Sequence, residues 1–66
     1  MELKKCLKAM RIEKGFTQGQ LAEKLNISLK TVSHWETGYT EPSVSQLVTL
    51  ADLYSVTLDE LVGRDI

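Results

Sequence analysis

The stretch QGQLAEKLNISLKTVSHW, from Gln18 to Trp35, decides the fold of this chain. It contains two short segments with helical spacing of apolar residues, separated only by residues 26–28. A connection this short makes two helices cross sharply and prevents an antiparallel hairpin. The small Ala22 stands where the two helices approach most closely. The apolar positions that such a crossing must bury are Leu21, Leu25, Ile27, Val32 and Trp35.

Helical spacing continues on both sides of this stretch, and Ser, Thr, Asn or Gly marks the ends of the segments. The pattern predicts an all-α fold of five helices: about residues 2–14, 17–26, 28 to 36 or 37, 43–54 and 57–63. Thr17 with Gln20 and Thr57 with Glu60 are expected to form capping boxes. Ser28 and Ser43 are the other expected N-caps. Gly15, Asn26, Gly38 and Gly63 are the expected stops.

The predicted core follows from the same spacing. Outside the central crossing it comprises Leu3, Leu7, Met10, Val44, Leu47, Leu50, Ala51, Tyr54, Leu58, Leu61 and Val62, with the Tyr54 hydroxyl at its edge. We expect one domain over residues 1–66, without repeat or linker. The result is a compact five-helix bundle with the sharp crossing at its centre.

Composition excludes several classes of protein. With 42% hydrophobic and 26% charged residues, the chain is typical of a globular domain and not of a disordered one. No apolar run approaches the roughly 20 residues that span a bilayer, so no membrane association is expected. A chain of 66 residues is short for a substrate cleft, and no catalytic arrangement of Ser, His and acidic residues stands out. We therefore expect no enzyme.

Cys6 is the only cysteine, so no internal disulfide can form. We expect it to be a small, partly buried helix residue and not a redox sensor. One cysteine and one histidine, His34, do not supply the usual ligands of a metal ion. The sequence thus predicts no metal, no cofactor and no small-molecule ligand, and the lack of disulfides favours a cytoplasmic location.

Charge is distributed unequally along the chain. Residues 1–34 contain seven Lys or Arg and three acidic residues, whereas residues 35–66 contain one Arg and six acidic residues. The net charge of −1 therefore conceals a basic half and an acidic half. The basic half suits a polyanion, but charge alone favours the simpler interpretation that both halves carry ordinary solvated helix faces.

Residues 18–35 form a helix-turn-helix pattern, which holds its second helix proud of the surface for the DNA major groove. Beyond this pattern, nearly the whole chain resembles the Cro/repressor-type, or XRE-like, helix-turn-helix family. The resemblance rests on residues 7–18 (LKAMRIEKGFTQ), 21–25 (LAEKL), 31–38 (TVSHWETG), 42–43 (PS), Leu47, Leu50, Ala51 and 56–61 (VTLDEL). It implies a bundle of four or five helices and a bacterial or phage transcription regulator that binds its operator as a dimer.

The resemblance also implies roles for individual residues. The base-reading positions fall on Ser28, Leu29, Lys30, Ser33 and His34. Lys30 suits guanine O6 and N7, and Leu29 suits a thymine methyl group. The phosphate-contact positions fall on Thr17, Gln18, Thr37 and Tyr39, and Gln18 also braces the recognition helix. Arg11 and Glu36 match a structural ion pair between the first and third helices.

Two residues depart from the family pattern. The loop after Gly38 is often basic in the family but contains Glu41 here, and a carboxylate repels phosphate. We therefore expect fewer phosphate contacts and a shallower dependence of binding on salt. Asn26 replaces the usual turn glycine, which is tolerable because Asn adopts the left-handed conformation more readily than most residues.

Together these features predict a sequence-specific regulator of double-stranded DNA, expected to be a repressor that binds an inverted repeat. We expect a homodimer through the C-terminal region, with Leu58, Val62 and Ile66 in the contact. The alternative is a protein-interaction module of the same fold, such as an antitoxin-like or regulator-binding partner. Lys30 and the uncharged caps favour DNA, whereas Glu41 and the isoelectric point near 5.7 favour the alternative.

Overall fold

The structure, a computed structural model, describes residues 2–63. Over this range the backbone forms five α-helices and no strand: α1 (Leu3–Glu13), α2 (Gln18–Leu25), α3 (Leu29–Thr37), α4 (Val44–Tyr54) and α5 (Leu58–Val62). The prediction of an all-α, five-helix fold is confirmed.

Side-chain caps explain where four of the helices begin. Thr17, Ser28, Ser43 and Thr57 each accept a hydrogen bond from the backbone N–H three residues later, at 3.0–3.2 Å. The capping boxes predicted at Thr17 and Thr57 are confirmed. A third box, which was not predicted, joins Ser43 to the Gln46 side chain. Such caps satisfy backbone donors that a helix start leaves without partners.

The α2–α3 and α4–α5 connections are built in the same way. Asn26 has φ 57° and ψ 45°, and Ser55 has φ 57° and ψ 44°, so both are left-handed. The next N–H, of Ile27 or Val56, donates at 3.0 Å to a carbonyl five residues back. The two segments are also similar in sequence: residues 21–29 are LAEKLNISL and residues 50–58 are LADLYSVTL. No internal repeat is expected from the sequence, but this turn occurs twice in the described residues.

The core lies where α3 meets α1 and α2, and where α5 meets α1 and α4. Its buried residues are Leu7, Leu21, Ala22, Val32, Trp35, Leu50, Ala51, Tyr54 and Leu61. Leu3, Met10, Leu25, Ile27 and Leu47 are partly buried against this cluster, as are Phe16, Leu53 and Val56. Most of the predicted core is therefore correct.

Three core predictions need correction. Val44 is 76% exposed, because it occupies the first turn of α4 and the buried stripe of that helix begins only at Leu47. Leu58, the first residue of α5, is 43% exposed for a similar reason. The Tyr54 hydroxyl is not at the edge of the core: it is buried and has no hydrogen-bond partner within residues 2–63.

The end of α5 lies directly against α1. Gly63 is left-handed, with φ 78°, and a β-carbon at this position would collide with the sulfur of Cys6. Cys6 itself is half-buried, as predicted. The described helices include none whose length and apolar content would let it span a membrane.

Candidate nucleic-acid interface

Helix α3 has one buried face and one open face. Val32 and Trp35, three residues apart, are 0% and 4% exposed and hold the helix on the core. Lys30 lies on the opposite side and is exposed, and Leu29, in the first turn beside the buried face, is 53% exposed. Ser33, one turn beyond Leu29, is half-buried. The packing thus presents an apolar group, an ammonium and a hydroxyl on adjacent turns of α3.

Two of the predicted base-reading residues make contacts within the protein. The Ser28 hydroxyl accepts from Thr31 N–H at 3.1 Å and shares a hydrogen bond with the Thr31 hydroxyl at 2.9 Å. The His34 ring lies against the Tyr39 ring, with 4.6 Å between centroids. His34 is consequently half-buried and less free than the other positions. Sequence reasoning missed this ring contact, which depends on how the chain turns after Gly38.

A polar cluster fastens α3 to the rest of the bundle. Arg11 Nε donates to Glu36 Oε2 at 2.7 Å, and Arg11 Nη2 donates to Glu36 Oε1 at 3.0 Å. Gln18 Nε2 donates to the same Glu36 Oε1 at 3.0 Å. The remaining Arg11 nitrogen, Nη1, donates to the Phe16 carbonyl at 2.8 Å. Glu36 near the end of α3 is therefore bonded to both α1 and α2.

This cluster is largely shielded from water. The side chains of Arg11 and Glu36 are 10% and 4% exposed. Burial opposes ionisation of Glu36, but hydrogen bonds from Arg11 and Gln18 and attraction to Arg11 and Lys8 outweigh it, so its pKa is lowered. The hydrogen bond to Glu36 in turn raises the pKa of Arg11. Both groups are charged at neutral pH, in a two-bond fork that fixes their orientation.

The four candidate phosphate contacts lie on two segments of the chain, which the hydrogen bond from Gln18 to Glu36 joins. Thr17 and Gln18 stand at the start of α2, whereas Thr37 and Tyr39 stand at the end of α3 and just beyond it. The Thr17 hydroxyl accepts from Gln20 N–H, which leaves its own proton available to a phosphate oxygen. The Thr37 hydroxyl donates at 3.3 Å to the His34 carbonyl, and Tyr39 is 77% exposed.

No cation occurs in the loop from Tyr39 to Glu41. The backbone of this loop is tied back to α3, because Thr40 N–H donates to the His34 carbonyl at 3.3 Å. Among residues 2–63, no group of three or more His, Cys, Asp or Glu is arranged to hold a metal ion. The open face of α3 and its flanking polar residues are therefore the candidate interface.

Comparison with known proteins identifies this arrangement. A helix-turn-helix family model matches residues 7–61. The chain is 43% identical over 65 residues to the HTH-type transcriptional regulator ImmR of Bacillus subtilis (strain 168), covering 98% of this chain and 51% of ImmR. It is 36% identical over 64 residues to the cryptic phage CTXphi transcriptional repressor RstR of Vibrio cholerae, covering 97% of this chain and 57% of RstR.

Other matches agree in fold and sequence. The HTH-type transcriptional activator BcrR of Enterococcus faecalis is 40% identical over 65 residues, which are 98% of this chain and 32% of BcrR. The crystal structure of a transcriptional regulator from Listeria innocua superposes with a TM-score of 0.85 at 33% identity, covering 97% of this chain and 60% of that one. The chain thus spans about half the length of the curated relatives that it matches.

Proposed function

The chain belongs to the Cro/repressor-type (XRE-like) helix-turn-helix DNA-binding family, a family of regulators and not of enzymes, and from this we propose that it recognises a specific operator in duplex DNA. The observation that carries the proposal is the open face of α3. Leu29 and Lys30 are exposed there, while the buried Arg11–Glu36 pair holds the helix rigidly on the bundle. A rigidly held helix suits sequence recognition, because base contacts depend on accurate placement in the major groove.

Each proposed base contact has its own chemistry. The Lys30 ammonium donates hydrogen bonds and suits the acceptors O6 and N7 of guanine, whereas Leu29 suits a thymine methyl group. The hydroxyls of Ser28 and Ser33 can donate or accept, so they tolerate more than one base. His34 is the fifth proposed base-reading residue. It lies at the side of the open face of α3, because its ring packs on Tyr39.

The proposed phosphate contacts fix the orientation of α3 without reading sequence. Thr17 and Gln18 contact one strand from the start of α2, and Thr37 and Tyr39 contact phosphates near the end of α3. Gln18 has a double role in this proposal, since its amide nitrogen also donates to Glu36. Loss of Gln18 therefore weakens both a phosphate contact and the support of α3.

We further propose that the regulator binds an inverted repeat as a homodimer. One domain of this size contacts only half a site, and half-sites one helical turn apart (about 34 Å) need two copies. Leu58 is 43% exposed and Val62 is half-buried, so α5 has apolar surface available for a second copy. Ile66, the third residue predicted for this contact, lies outside the described residues. Repression is the proposed outcome, because occupation of an operator blocks a promoter without further contacts.

Selection from a random duplex library at near-physiological salt tests the operator and the dimer together. An enriched inverted repeat is the expected result. An enriched single half-site would retain recognition of DNA and reject the obligate dimer. Without enrichment, and with helical content intact by circular dichroism, the proposal fails and the protein-interaction module takes its place.

Substitutions test the assignment of residues. Lys30→Ala is expected to relax preference at defined base pairs and to cost about 1–3 kcal/mol in binding the selected operator. Gln18→Ala is expected to weaken binding to all sequences alike. Lys24→Ala is the matched control, since Lys24 is an exposed lysine on α2 and its loss changes the net charge equally. If Lys30→Ala and Lys24→Ala bind the operator equally well, α3 does not read the bases as proposed.

A further inference from the structure

The loop that follows α3 lacks positive charge of its own, but the structure brings a cation to it from elsewhere. Lys4, in the first turn of α1, lies across Gly38, the residue that ends α3. The two residues are 34 positions apart in the sequence. Nothing in the local pattern around either residue predicts that they meet.

The contact is close. A β-carbon at Gly38 would lie 2.9 Å from Lys4 Cδ, 3.8 Å from Cε and 3.6 Å from Nζ. The lysine chain therefore lies along the face of the glycine that a side chain would otherwise fill. Gly38 is also left-handed, with φ 84°. Glycine serves two purposes here: it permits the turn, and it leaves room for the side chain of α1.

The ammonium of Lys4 is available to an outside anion. The ion pairs within residues 2–63 join Lys5 to Glu2 at 3.0 Å and Arg11 to Glu36, and neither involves Lys4. Lys4, Gly38 and Thr40 line a shared groove, to which Glu2 and Glu41 also contribute. Lys5 pairs with Glu2, so the carboxylate of Glu41 is the one that most directly opposes an anion in this groove.

We propose that Lys4 contacts a DNA phosphate at the end of the recognition helix, and thus replaces the basic residues that the loop lacks. This inference rests on the proposed function, because Thr37 and Tyr39, on either side of Gly38, are the phosphate contacts proposed there. A lysine held along a glycine loses less freedom on binding than one extended into water, which favours the contact. The neighbouring Glu41 limits its strength without abolishing it.

The dependence of binding on salt tests the proposal. Each phosphate neutralised on duplex DNA contributes about 0.9 to the slope of log K against log salt. For Lys4→Gln, we expect a slope shallower by about that amount and equal weakening on operator and non-operator duplexes. Lys4→Arg, which keeps the charge, is expected to retain the wild-type slope.

Lys14→Gln is the matched control. Lys14 is exposed and lies at the opposite end of α1, about 15 Å along the helix axis from Lys4, and its removal changes the net charge equally. Circular dichroism melting checks that each variant is folded. If Lys4→Gln and Lys14→Gln alter the slope equally, or if neither does, Lys4 makes no specific phosphate contact. Wild-type protein that binds duplex DNA without salt dependence would instead overturn the proposed function itself.

Discussion

At the scale of single residues, Tyr54 shows that a well-packed side chain can still carry an unfavourable group. Its ring is 4% exposed and lies 5.9 Å from the Phe16 ring, between centroids. Its hydroxyl has no hydrogen-bond partner among the described residues. Burial of this group raises the pKa of Tyr54 to about 12. Folding therefore removes the hydrogen bonds of this hydroxyl to water, and no described residue replaces them.

Tyr54→Phe is therefore expected to stabilise the protein. A buried polar group without a partner costs about 1–3 kcal/mol, so we expect the free energy of unfolding to rise by about 1 kcal/mol. Tyr39→Phe is the control, because Tyr39 is 77% exposed and its hydroxyl is free to meet water. Urea denaturation of the three proteins measures the difference. Destabilisation by Tyr54→Phe would show that its hydroxyl makes a useful bond in solution.

At the scale of helices and turns, two of the left-handed C-caps among the described residues, Asn26 and Ser55, are not glycine. Asn26 and Ser55 have almost the same backbone angles. Asn tolerates this conformation through local hydrogen bonding, whereas most other residues with a β-carbon lose about 1–2 kcal/mol in it. The α4–α5 turn therefore carries more strain than the α2–α3 turn.

Glycine at each of these positions tests the difference in strain. Ser55→Gly is expected to raise the free energy of unfolding by about 0.5–1 kcal/mol, since the relief of strain exceeds the added chain entropy. Asn26→Gly is expected to change it less. Both residues are exposed, so neither change removes a packing contact. Equal effects at the two positions in chemical denaturation would contradict this account.

The elements could be predicted well from sequence because their signals are local. Caps such as Thr17 and stops such as Gly38 mark helix ends within one turn, and each of those residues behaves as expected. Ser55 was missed because serine rarely marks a left-handed cap. Val44 was misplaced because helical spacing alone does not show that the buried stripe of α4 begins only at Leu47, which leaves Val44 76% exposed.

At the scale of the whole molecule, one arginine connects three parts of the bundle. Arg11 lies in α1, donates to the Phe16 carbonyl before α2, and forms a fork with Glu36 in α3. Arg11 as a whole is only 8% exposed. Removal of either charged partner leaves the other buried without compensation. The orientation of α3 therefore depends on this buried pair as well as on the packing of Val32 and Trp35.

Arg11→Ala is expected to cost about 3–5 kcal/mol of stability, which is severe for a domain of this size. The double variant Arg11→Met with Glu36→Leu is expected to lose less than Arg11→Ala, because it leaves no unpaired buried charge. Thermal melting with circular dichroism compares them. A double variant that is less stable than Arg11→Ala would mean that the pair contributes more than its desolvation costs.

The same pair predicts how stability depends on pH. The pKa of Glu36 is lowered from its ordinary value of 4.5 in the folded protein, so its contribution to stability is complete above that value. The contribution is lost as the pH falls through the folded pKa. Glu36→Gln is therefore expected to flatten the decline of stability below about pH 4.5. Some dependence of stability on pH should remain in Glu36→Gln, because hydrogen bonds from Thr57 also lower the pKa of Glu60.

The candidate site was less accessible to sequence reasoning than the fold. The spacing of Val32 and Trp35 indicates which face of α3 is open, and this needs only local information. The partnership of Arg11 with Glu36 came from resemblance to a family, since spacing does not pair residues 25 positions apart. The meeting of Lys4 with Gly38 had no signal at all, because it depends on the packing of the complete bundle.

The fit of Gly63 against Cys6 gives this protein a built-in reporter of local motion. A thiol reagent needs space around the sulfur, and that space opens when the end of α5 moves away from α1. Cys6 is half-buried, so the rate at which it is alkylated in the native protein reports how accessible this contact leaves the sulfur, without any introduced label. Cys6 is the only cysteine, so the signal comes from one site. Protection of the thiol on addition of operator DNA would show that binding shields or steadies the contact between α1 and α5.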